Sequence, residues 1–289
     1  FEPITYILSL GGKRVRPALA LIACNLYSED VTPALPIALG VEVFHNFTLL
    51  HDDLMDKADM RRNQPTVHIK WDENTAVLSG DAMLIEAYKE IAKVESKYLP
   101  QILELFSQTA SEICCGQQFD MEFEKRMDVT IDEYIEMIRL KTAVLLGCAL
   151  KEGAMVAGAD SRDADLLYEF GINIGLAFQL KDDLLDVYGN PATFGKRIGG
   201  DILCNKKTYL LINALGDSSA RSELTDYNEE EKIAAVTEIY NKLHLKEKSE
   251  QLIHKYYKKS VENLDAVSIH RDRKQVLYTL AESLSHRES

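Results

Sequence analysis

The pentapeptide Asp52-Asp53-Leu54-Met55-Asp56 returns, almost letter for letter, as Asp182-Asp183-Leu184-Leu185-Asp186. On a helix, Asp52 and Asp56 are one turn apart and share a face, as do Asp182 and Asp186. Carboxylates so placed repel each other unless a cation sits between them. A donor set made only of oxygen, with no His or Cys at ligand spacing, suits a hard cation, Mg²⁺ first. Mg²⁺ usually keeps several waters, takes one or two carboxylates and completes its shell with phosphate oxygens. Asp52, Asp53, Asp56, Asp182, Asp183 and Asp186 are therefore the candidate metal-binding set, for ions that hold a phosphate or diphosphate. A solvated helix end is the bland alternative for one copy. Two copies, each closing a long apolar stretch, disfavour it.

Cations stand beside both motifs. Gly11-Gly12-Lys13-Arg14-Val15-Arg16-Pro17 puts three of them just ahead of a helix, where free N–H groups and a forked guanidinium suit a phosphate. Asp59-Met60-Arg61-Arg62 follows the first motif within one loop, so two guanidiniums can reach what the metal holds. Lys141-Thr142 interrupts an otherwise apolar helix. A lysine buried there needs an anionic partner, whereas a surface lysine only lays its stem along the apolar face. Phe178-Gln179 precedes the second motif, and Gly195-Lys196 and Lys206-Lys207-Thr208 flank the loop after it. His45 and His51 fall on the helix of the first motif, where a lone histidine is more often a core residue than a site residue.

Helices must position these residues, because helical period dominates the chain. Pro17–Tyr27 reads as a helix with proline in its first turn. Thr32-Pro33 opens a longer one that runs to about Asp56. Leu35, Leu39, Val43, Phe47 and Leu50 lie along one side of it, and Ile37, Val41, Phe44 and Leu49 add a second. A helix apolar nearly all round belongs in a large core. Residues 57–72 are polar and basic and read as a loop. Helices follow at 73–95 and 99–125, and Thr130 with Glu133 forms a capping-box signature for the next, to about 157. Ser161–Tyr188 is another, and the glycine-rich 189–204 is a second exposed loop. Further helices start near Asn205, Glu229, Lys246 and Ser268. Apart from the short Val67–Trp71 run nothing alternates like a strand, so no sheet is predicted and the fold class is all-α. No linker divides residues 1–289, which read as a single domain with the Asp-rich repeat as two walls of one cavity.

Composition narrows the partners. With 289 residues and 46% hydrophobic content, the chain can bury a large core. A net charge of −13 argues against nucleic acid and makes an anionic ligand depend on metal ions or local cations. Cys24, Cys114, Cys115, Cys148 and Cys204 lack metal-ligand spacing, and their odd number argues against a disulfide framework. They read as reduced, mostly buried thiols of a cytoplasmic protein. No run of 18 apolar residues and no signal peptide is present, so no membrane span is expected. The pattern opens abruptly at Phe1, which points to a preceding N-terminal segment.

GGKRVRP, DDLMD followed by RR, GQQFD, KT, FQLKDDLLD and GKRIGGD…KKT occur in this order over residues 11–208. Together they resemble the trans-polyprenyl diphosphate synthases, the head-to-tail prenyltransferases; residues 209–289 carry no motif. The resemblance implies an isoprenoid synthase fold, a helical barrel around a deep central cavity, assembled as a homodimer. Its two Asp-rich helices would face each other and hold three Mg²⁺ ions with a bound diphosphate. Asp52 and Asp56 match the ligands of two ions, Asp182 that of the third, and Asp186 holds a water of that third ion. Arg61, Lys141, Gln179, Lys196 and Lys206 match the allylic diphosphate pocket, with Thr142 beside the reacting carbons. Gly12, Lys13, Arg16, His45 and Arg62 match the isopentenyl diphosphate site. Gln117 and Asp120 match a pair that supports the substrate-contacting residues from behind. The implied reaction ionises the allylic diphosphate. Isopentenyl diphosphate attacks the cation, and released diphosphate removes the proton in a dry cavity, so no His or Glu is needed as a dedicated base.

Phe47 lies five residues before Asp52, about 7–8 Å deeper along a helix, where the family places the floor of its chain-growth cavity. Thr48, not a second aromatic, follows it, and the motif carries no insertion. That pattern resembles the geranylgeranyl type and favours a C20 product over the farnesyl alternative, with Phe44 as a second floor. Three rivals are weaker. An HD-type phosphohydrolase built on His51-Asp52 lacks further histidines at metal distance. A terpene cyclase has a different second metal motif. A non-catalytic partner subunit would have lost Asp-rich carboxylates, and all six are present.

Overall fold

The computed structural model describes residues 2–190, 198–217 and 229–285, and almost all of them are helical. They group into two compact units, Phe1–Ser107 with Cys148–Leu167, and Gln108–Gly147 with Tyr168–Ser289. Unit 1 begins with α1 (Glu2–Ser9), α2 (Val15–Tyr27), a 3₁₀ turn (Thr32–Ala34) and α3 (Leu35–Met55). A hairpin (β1, Met60–Arg61; β2, Gln64–Pro65), α4 (Val67–Lys70) and α5 (Glu73–Ile91) follow. Three further helices carry residues of both units: α6 (Leu99–Lys125), α8 (Val144–Val156) and α9 (Ser161–Tyr188). Unit 2 adds α7 (Ile131–Ile138), which runs through a π turn (Arg139–Ala143) into α8. It continues with α10 (Gly200–Leu203), α11 (Tyr209–Gly216), α12 (Glu229–Lys242), α13 (Leu245–Ala266) and α14 (Arg271–Ser285).

Local chemistry explains the boundaries. Pro33 and Pro36 sit in the first turns of the 3₁₀ turn and of α3, where no amide N–H is required. Asp72 caps α5 by accepting from Thr75 N at 2.8 Å. Thr130 and Glu133 form the full capping box expected from the sequence. α3 packs mainly on α5 and α2 within unit 1. Ile37, Val41, Phe44 and Leu50 are buried there, each worth roughly 1.5–3 kcal/mol of transfer free energy. Gly153 of α8 lies so close to α2 that a Cβ would stand 2.1 Å from the Ala20 carbonyl oxygen. In unit 2, α13 packs on α11, α12 and α14. The buried Lys274 closes the C-terminal end of α13, donating to the carbonyls of Leu264 (2.8 Å), Asp265 (3.3 Å) and Val267 (2.9 Å).

Several expectations change. The loop 57–72 contains an antiparallel hairpin with Arg61 opposite Gln64, where no sheet was predicted. Arg62 and Asn63 both take positive φ (52° and 61°), as a two-residue type I′ turn requires, and strands of two residues are too short to show alternation. The strand-like Val67–Trp71 run supplies the helical turn α4 instead. The helix α1 had no sequence signal beyond its apolar spacing over eight residues. Of the five thiols only Cys24 and Cys148 are buried; Cys114, Cys115 and Cys204 are exposed. One segment, Thr32–Met55, is long and apolar enough to cross a membrane by composition. The core packing of α3 against α2 and α5 accounts for that character equally well.

Glu152 of α8 is 0% exposed, and no cation among the described residues contributes to its surroundings. Burial raises its carboxyl to about 8, against a weak opposing contribution from the Cys148 thiol one turn earlier. The folded chain therefore keeps a proton that the unfolded chain releases near its ordinary value of 4.5. Stability from this group is complete below pH 4.5 and is lost as pH rises through about 8, at roughly 1.4 kcal/mol per pH unit in between. Urea midpoints measured from pH 5 to pH 9 should fall accordingly. In Glu152→Gln this part of the slope should vanish.

Candidate active site

The first Asp-rich motif belongs to unit 1 and closes α3. A helix C-terminus already carries partial negative charge, so three carboxylates there need cations. Asp53 is 3% exposed and turned into the protein, where Arg61 grips it from Nε (2.8 and 2.7 Å) and Nη2 (2.7 Å). Burial pushes the Asp53 carboxyl up, and Arg61 only partly offsets this. Asp52 is half-buried, with Arg61 Nη2 at 3.8 Å, and Asp56 is exposed. The hairpin delivers Arg61. Tyr6 holds it by donating to the Pro65 carbonyl (2.7 Å), and Thr66 Oγ1 by donating to Ala58 O (2.7 Å). The type I′ turn sends Arg62 elsewhere. Its Nη1 donates to the Gly11 carbonyl, and its guanidinium lies against Gly12, where a Cβ would sit 2.7 Å from Nη2. Gly12 also has φ +126°, so its lack of a side chain is required twice.

The three cations of the glycine turn have different positions. Arg14 pairs with Glu42, which also accepts from Asn46 Nδ2 (2.8 Å), and donates to Leu8 O (2.6 Å). Lys13 is exposed. Arg16 Nη1 lies 3.2 Å from His45 Nε2, and its Nε is buried without an acceptor among the described residues. Burial lowers the Arg16 pKa to about 10, still cationic at neutral pH. His45 is held far below its usual value by burial, then by Arg16, Arg62, Arg61 and Arg14. A neutral imidazole accepting from Arg16 at Nε2 carries its proton on Nδ1. A buried guanidinium with an open donor, beside a neutral histidine, is suited to an anion.

Behind the motif, α3 carries an edge-to-face aromatic series. Phe47 meets His51 at 4.9 Å and Phe44 at 5.4 Å; Phe44 meets Phe106 at 5.3 Å, and Phe106 meets Tyr88 at 5.1 Å. Thr48 is half-buried and bonds back to His45 O at 2.8 Å. His51 lies 3.2 Å from Val77 O, over Gly80, so it is a packing residue.

The second motif belongs to unit 2 and closes α9. Asp183 is buried and accepts from Tyr134 Oη (2.5 Å) and Gln179 Nε2 (2.9 Å), while Thr142 Oγ1 donates to Gln179 Oε1 (3.3 Å). Burial, then the Asp201 charge, pushes the Asp183 carboxyl well above the usual range. Asp186 is buried and accepts from Asp201 N at 3.0 Å, at the start of α10. Asp182 is half-buried. The π turn places Lys141, whose Nζ reaches Asp120 Oδ2 at 2.6 Å, with Lys206 Nζ at 3.8 Å on the same oxygen. Burial alone would raise Asp120, but Lys206 and Lys141 hold it below its ordinary value. Gly116 makes room for the π turn, since a Cβ would lie 2.4 Å from Lys141 N. Gln117 is half-buried on α6, three residues before Asp120. Lys207 is buried, donating to Glu124 O (3.2 Å) and Asn205 O (3.1 Å); both lysines border the cleft that Asp120 and Lys141 line, and Lys206 is the one that reaches Asp120. Lys196 lies outside the described residues.

Among the described residues no group of three His, Cys, Asp or Glu side chains stands ready to hold a metal by itself. Mg²⁺ asks for less, one or two carboxylates with water and phosphate completing the shell, and oxygen-only donors such as Asp52, Asp56 and Asp182 fit it. Sequence reasoning missed Tyr134, Glu42 and the structural role of Arg14. A tyrosine on an apolar helix face reads as core, and adjacent cations read alike.

A profile of the polyprenyl synthetases matches residues 1–243. The chain belongs to the polyprenyl synthetase family. The geranylgeranyl diphosphate synthase of Methanosarcina mazei is 42% identical over 216 residues, 74% of this chain and 67% of that one. A solved geranylgeranyl pyrophosphate synthase superposes with TM-score 0.95 at 45% identity, covering 100% of this chain and 91% of its own. A third, from Corynebacterium glutamicum, was solved with isoprenyl diphosphate and magnesium and gives TM-score 0.89 at 28% identity, over 99% and 90% of the two chains. Other relatives are named geranylfarnesyl diphosphate synthase (Aeropyrum pernix, 36% identical over 76% of this chain) and farnesyl diphosphate synthase (Mycobacterium bovis, 42% over 68%). The all-α isoprenoid synthase fold expected of the polyprenyl synthetases is thus the fold of this chain.

The Asp53–Arg61 pair yields a stability test. Arg61→Ala leaves Asp53 buried without its cation, a loss of roughly 3–5 kcal/mol. Chemical denaturation should show it, and Asp53→Asn in the same background should recover part of it.

Proposed function

We propose that this chain is a divalent-metal-dependent trans-prenyltransferase. It would condense isopentenyl diphosphate head-to-tail with an allylic diphosphate, dimethylallyl, geranyl or farnesyl, and release diphosphate. The observation that carries the reading is the shared construction of the two Asp-rich helix ends. In each, the second aspartate is buried on a protein donor while the first stays half-buried, beside cations suited to an anion. The magnesium and isoprenyl diphosphate of the C. glutamicum structure support the metal and the substrate class.

In this reading Asp52, Asp56 and Asp182 hold Mg²⁺, and Asp186 orders its water. Asp53 and Asp183 anchor the motifs. The metal's contribution, when bound, is to neutralise the diphosphate so that it can leave. Lys141, Lys206, Gln179 and Lys196 hold the allylic diphosphate, with Arg61 when substrate competes for it, and Thr142 lies beside the reacting carbons. Gly12, Lys13, Arg16, His45 and Arg62 bind isopentenyl diphosphate, and Asp120 with Gln117 orients Lys141. The reaction would require a site that keeps out water, which would quench a cation. We read residues 1–289 as one catalytic domain in a cytoplasmic homodimer. Leu78 and Ile85, 68% and 61% exposed two turns apart on α5, suit a partner surface.

Phe47 favours a geranylgeranyl product, as the first wide side chain below the motif.

Two experiments test the reading. Asp52→Ala, Asp56→Ala and Asp182→Ala should each lower kcat by several orders of magnitude while circular dichroism stays helical, because they remove charge stabilisation and no core packing. Near-wild-type turnover in Asp52→Ala would refute the site. Phe47→Ala should lower stability by roughly 3–5 kcal/mol. It should also lengthen the products by one or more C5 units, toward Phe44 and Phe106, on chromatography of the dephosphorylated prenols. A folded, active variant with unchanged products would remove Phe47 from length control, and a C15 wild-type product would place this chain with the farnesyl type.

A further inference from the structure

The two motifs solve one problem with different chemistry. Asp53 is anchored by a cation, Arg61. Asp183 is anchored by neutral groups, and the closest is Tyr134, 1% exposed, whose hydroxyl stands 2.5 Å from Oδ2. The other carboxylate oxygen accepts from Gln179 Nε2, and Gln179 Oε1 accepts from Thr142. The Asp183 carboxylate takes the amide N–H and Thr142 gives its proton to the amide oxygen, which orients the Gln179 side chain. Tyr134 is itself immobilised. It sits on α7, between the capping box of Thr130 and Glu133 and the π turn that presents Lys141 and Thr142. Tyr134, Asp183, Gln179, Thr142, Lys141 and Lys206 line one cleft.

We infer that Tyr134 is a positioning residue that acts through Asp183: by holding that carboxylate inside α9, it fixes the presentation of Asp182 and of the Gln179–Thr142 edge toward the diphosphate. The inference rests on the prenyltransferase reading above. Without the hydroxyl, Asp183 Oδ2 is a buried acceptor lacking its donor. The carboxylate then has reason to turn outward, where it competes with Asp182 for the same cations and releases Gln179. Phenylalanine keeps the ring and its packing, so the hydroxyl alone is tested.

The test compares wild type, Tyr134→Phe, Asp183→Asn and the double variant. Uptake of Mn²⁺ with inorganic diphosphate is read by electron paramagnetic resonance, beside steady-state kinetics with isopentenyl and geranyl diphosphates. Tyr134→Phe should fold, weaken Mn²⁺–diphosphate binding and lower kcat about tenfold to a hundredfold, the worth of one hydrogen bond to a charged group. KM for isopentenyl diphosphate should not move. The double variant should be no weaker than Asp183→Asn, because without a carboxylate at 183 the Tyr134 hydroxyl has no charge left to hold. Wild-type binding and turnover in Tyr134→Phe, or losses that add in full in the double variant, would overturn the inference. If Tyr134→Phe does not fold, Asp183→Asn decides alone, and unchanged Mn²⁺ binding in it would also overturn the inference. A wild-type chain that takes up no Mn²⁺ with diphosphate overturns both this inference and the reading beneath it.

Discussion

A carboxylate buried at the end of a helix is the constraint around which each Asp-rich motif is arranged. Burial disfavours its charge, and the dipole of the helix C-terminus disfavours it further. The second aspartate of each motif can stay inside only if another element brings it a donor. For Asp53 that element is a hairpin with just enough strand to deliver Arg61, pinned by Tyr6 and Thr66. For Asp183 it is α7, with Tyr134, helped by Gln179 one turn back on α9 itself. Once the second aspartate is held, helical geometry turns the first about 100° away from it.

Adjacent cations divide the same way throughout. Arg14 closes a network with Glu42 and Asn46, whereas Arg16 keeps a buried nitrogen without an acceptor among the described residues. Arg61 holds Asp53, whereas Arg62 ties the glycine turn to the hairpin. Lys207 donates to the backbone carbonyls of Glu124 and Asn205, whereas Lys206 reaches the carboxylate of Asp120. In each pair at least one member fixes the loop that carries the other. An acidic chain can concentrate positive charge on an anion only by restraining it in this way, since a mobile cation would collapse onto the nearest carboxylate.

Much of this was legible beforehand. The 3.6-residue period gave the long helices with ends within a few residues, and the capping box at Thr130 marked α7 at its first residue. The carboxylate spacing identified both helix ends as a pair. What stayed hidden has a common cause: a contact between residues far apart in sequence leaves no local pattern. Nothing around residue 134 announces that its hydroxyl will meet Asp183, and nothing distinguishes Arg14 from Arg16 until Glu42 is placed beside one of them. The hairpin at Met60 was hidden for another reason. Two residues per strand give no alternation, and its turn is built from Arg62-Asn63, where a glycine would have advertised the positive φ.

The π turn at Arg139–Ala143 inserts, in effect, one residue into an otherwise continuous helix. One residue of an α-helix is worth about 100° of rotation. The faces of α7 and α8 are therefore out of phase, and each has been fitted to its neighbours in that offset register. Gly147 meets the backbone of Gly171, and Gly153 meets that of Ala20, at separations no other residue type could tolerate. Removing a single residue between Ile138 and Val144 would restore regular helix and swing both glycines out of contact, with bulkier neighbours turned into their places. The length of this segment is thus as constrained as its composition, although no side chain within it records the fact.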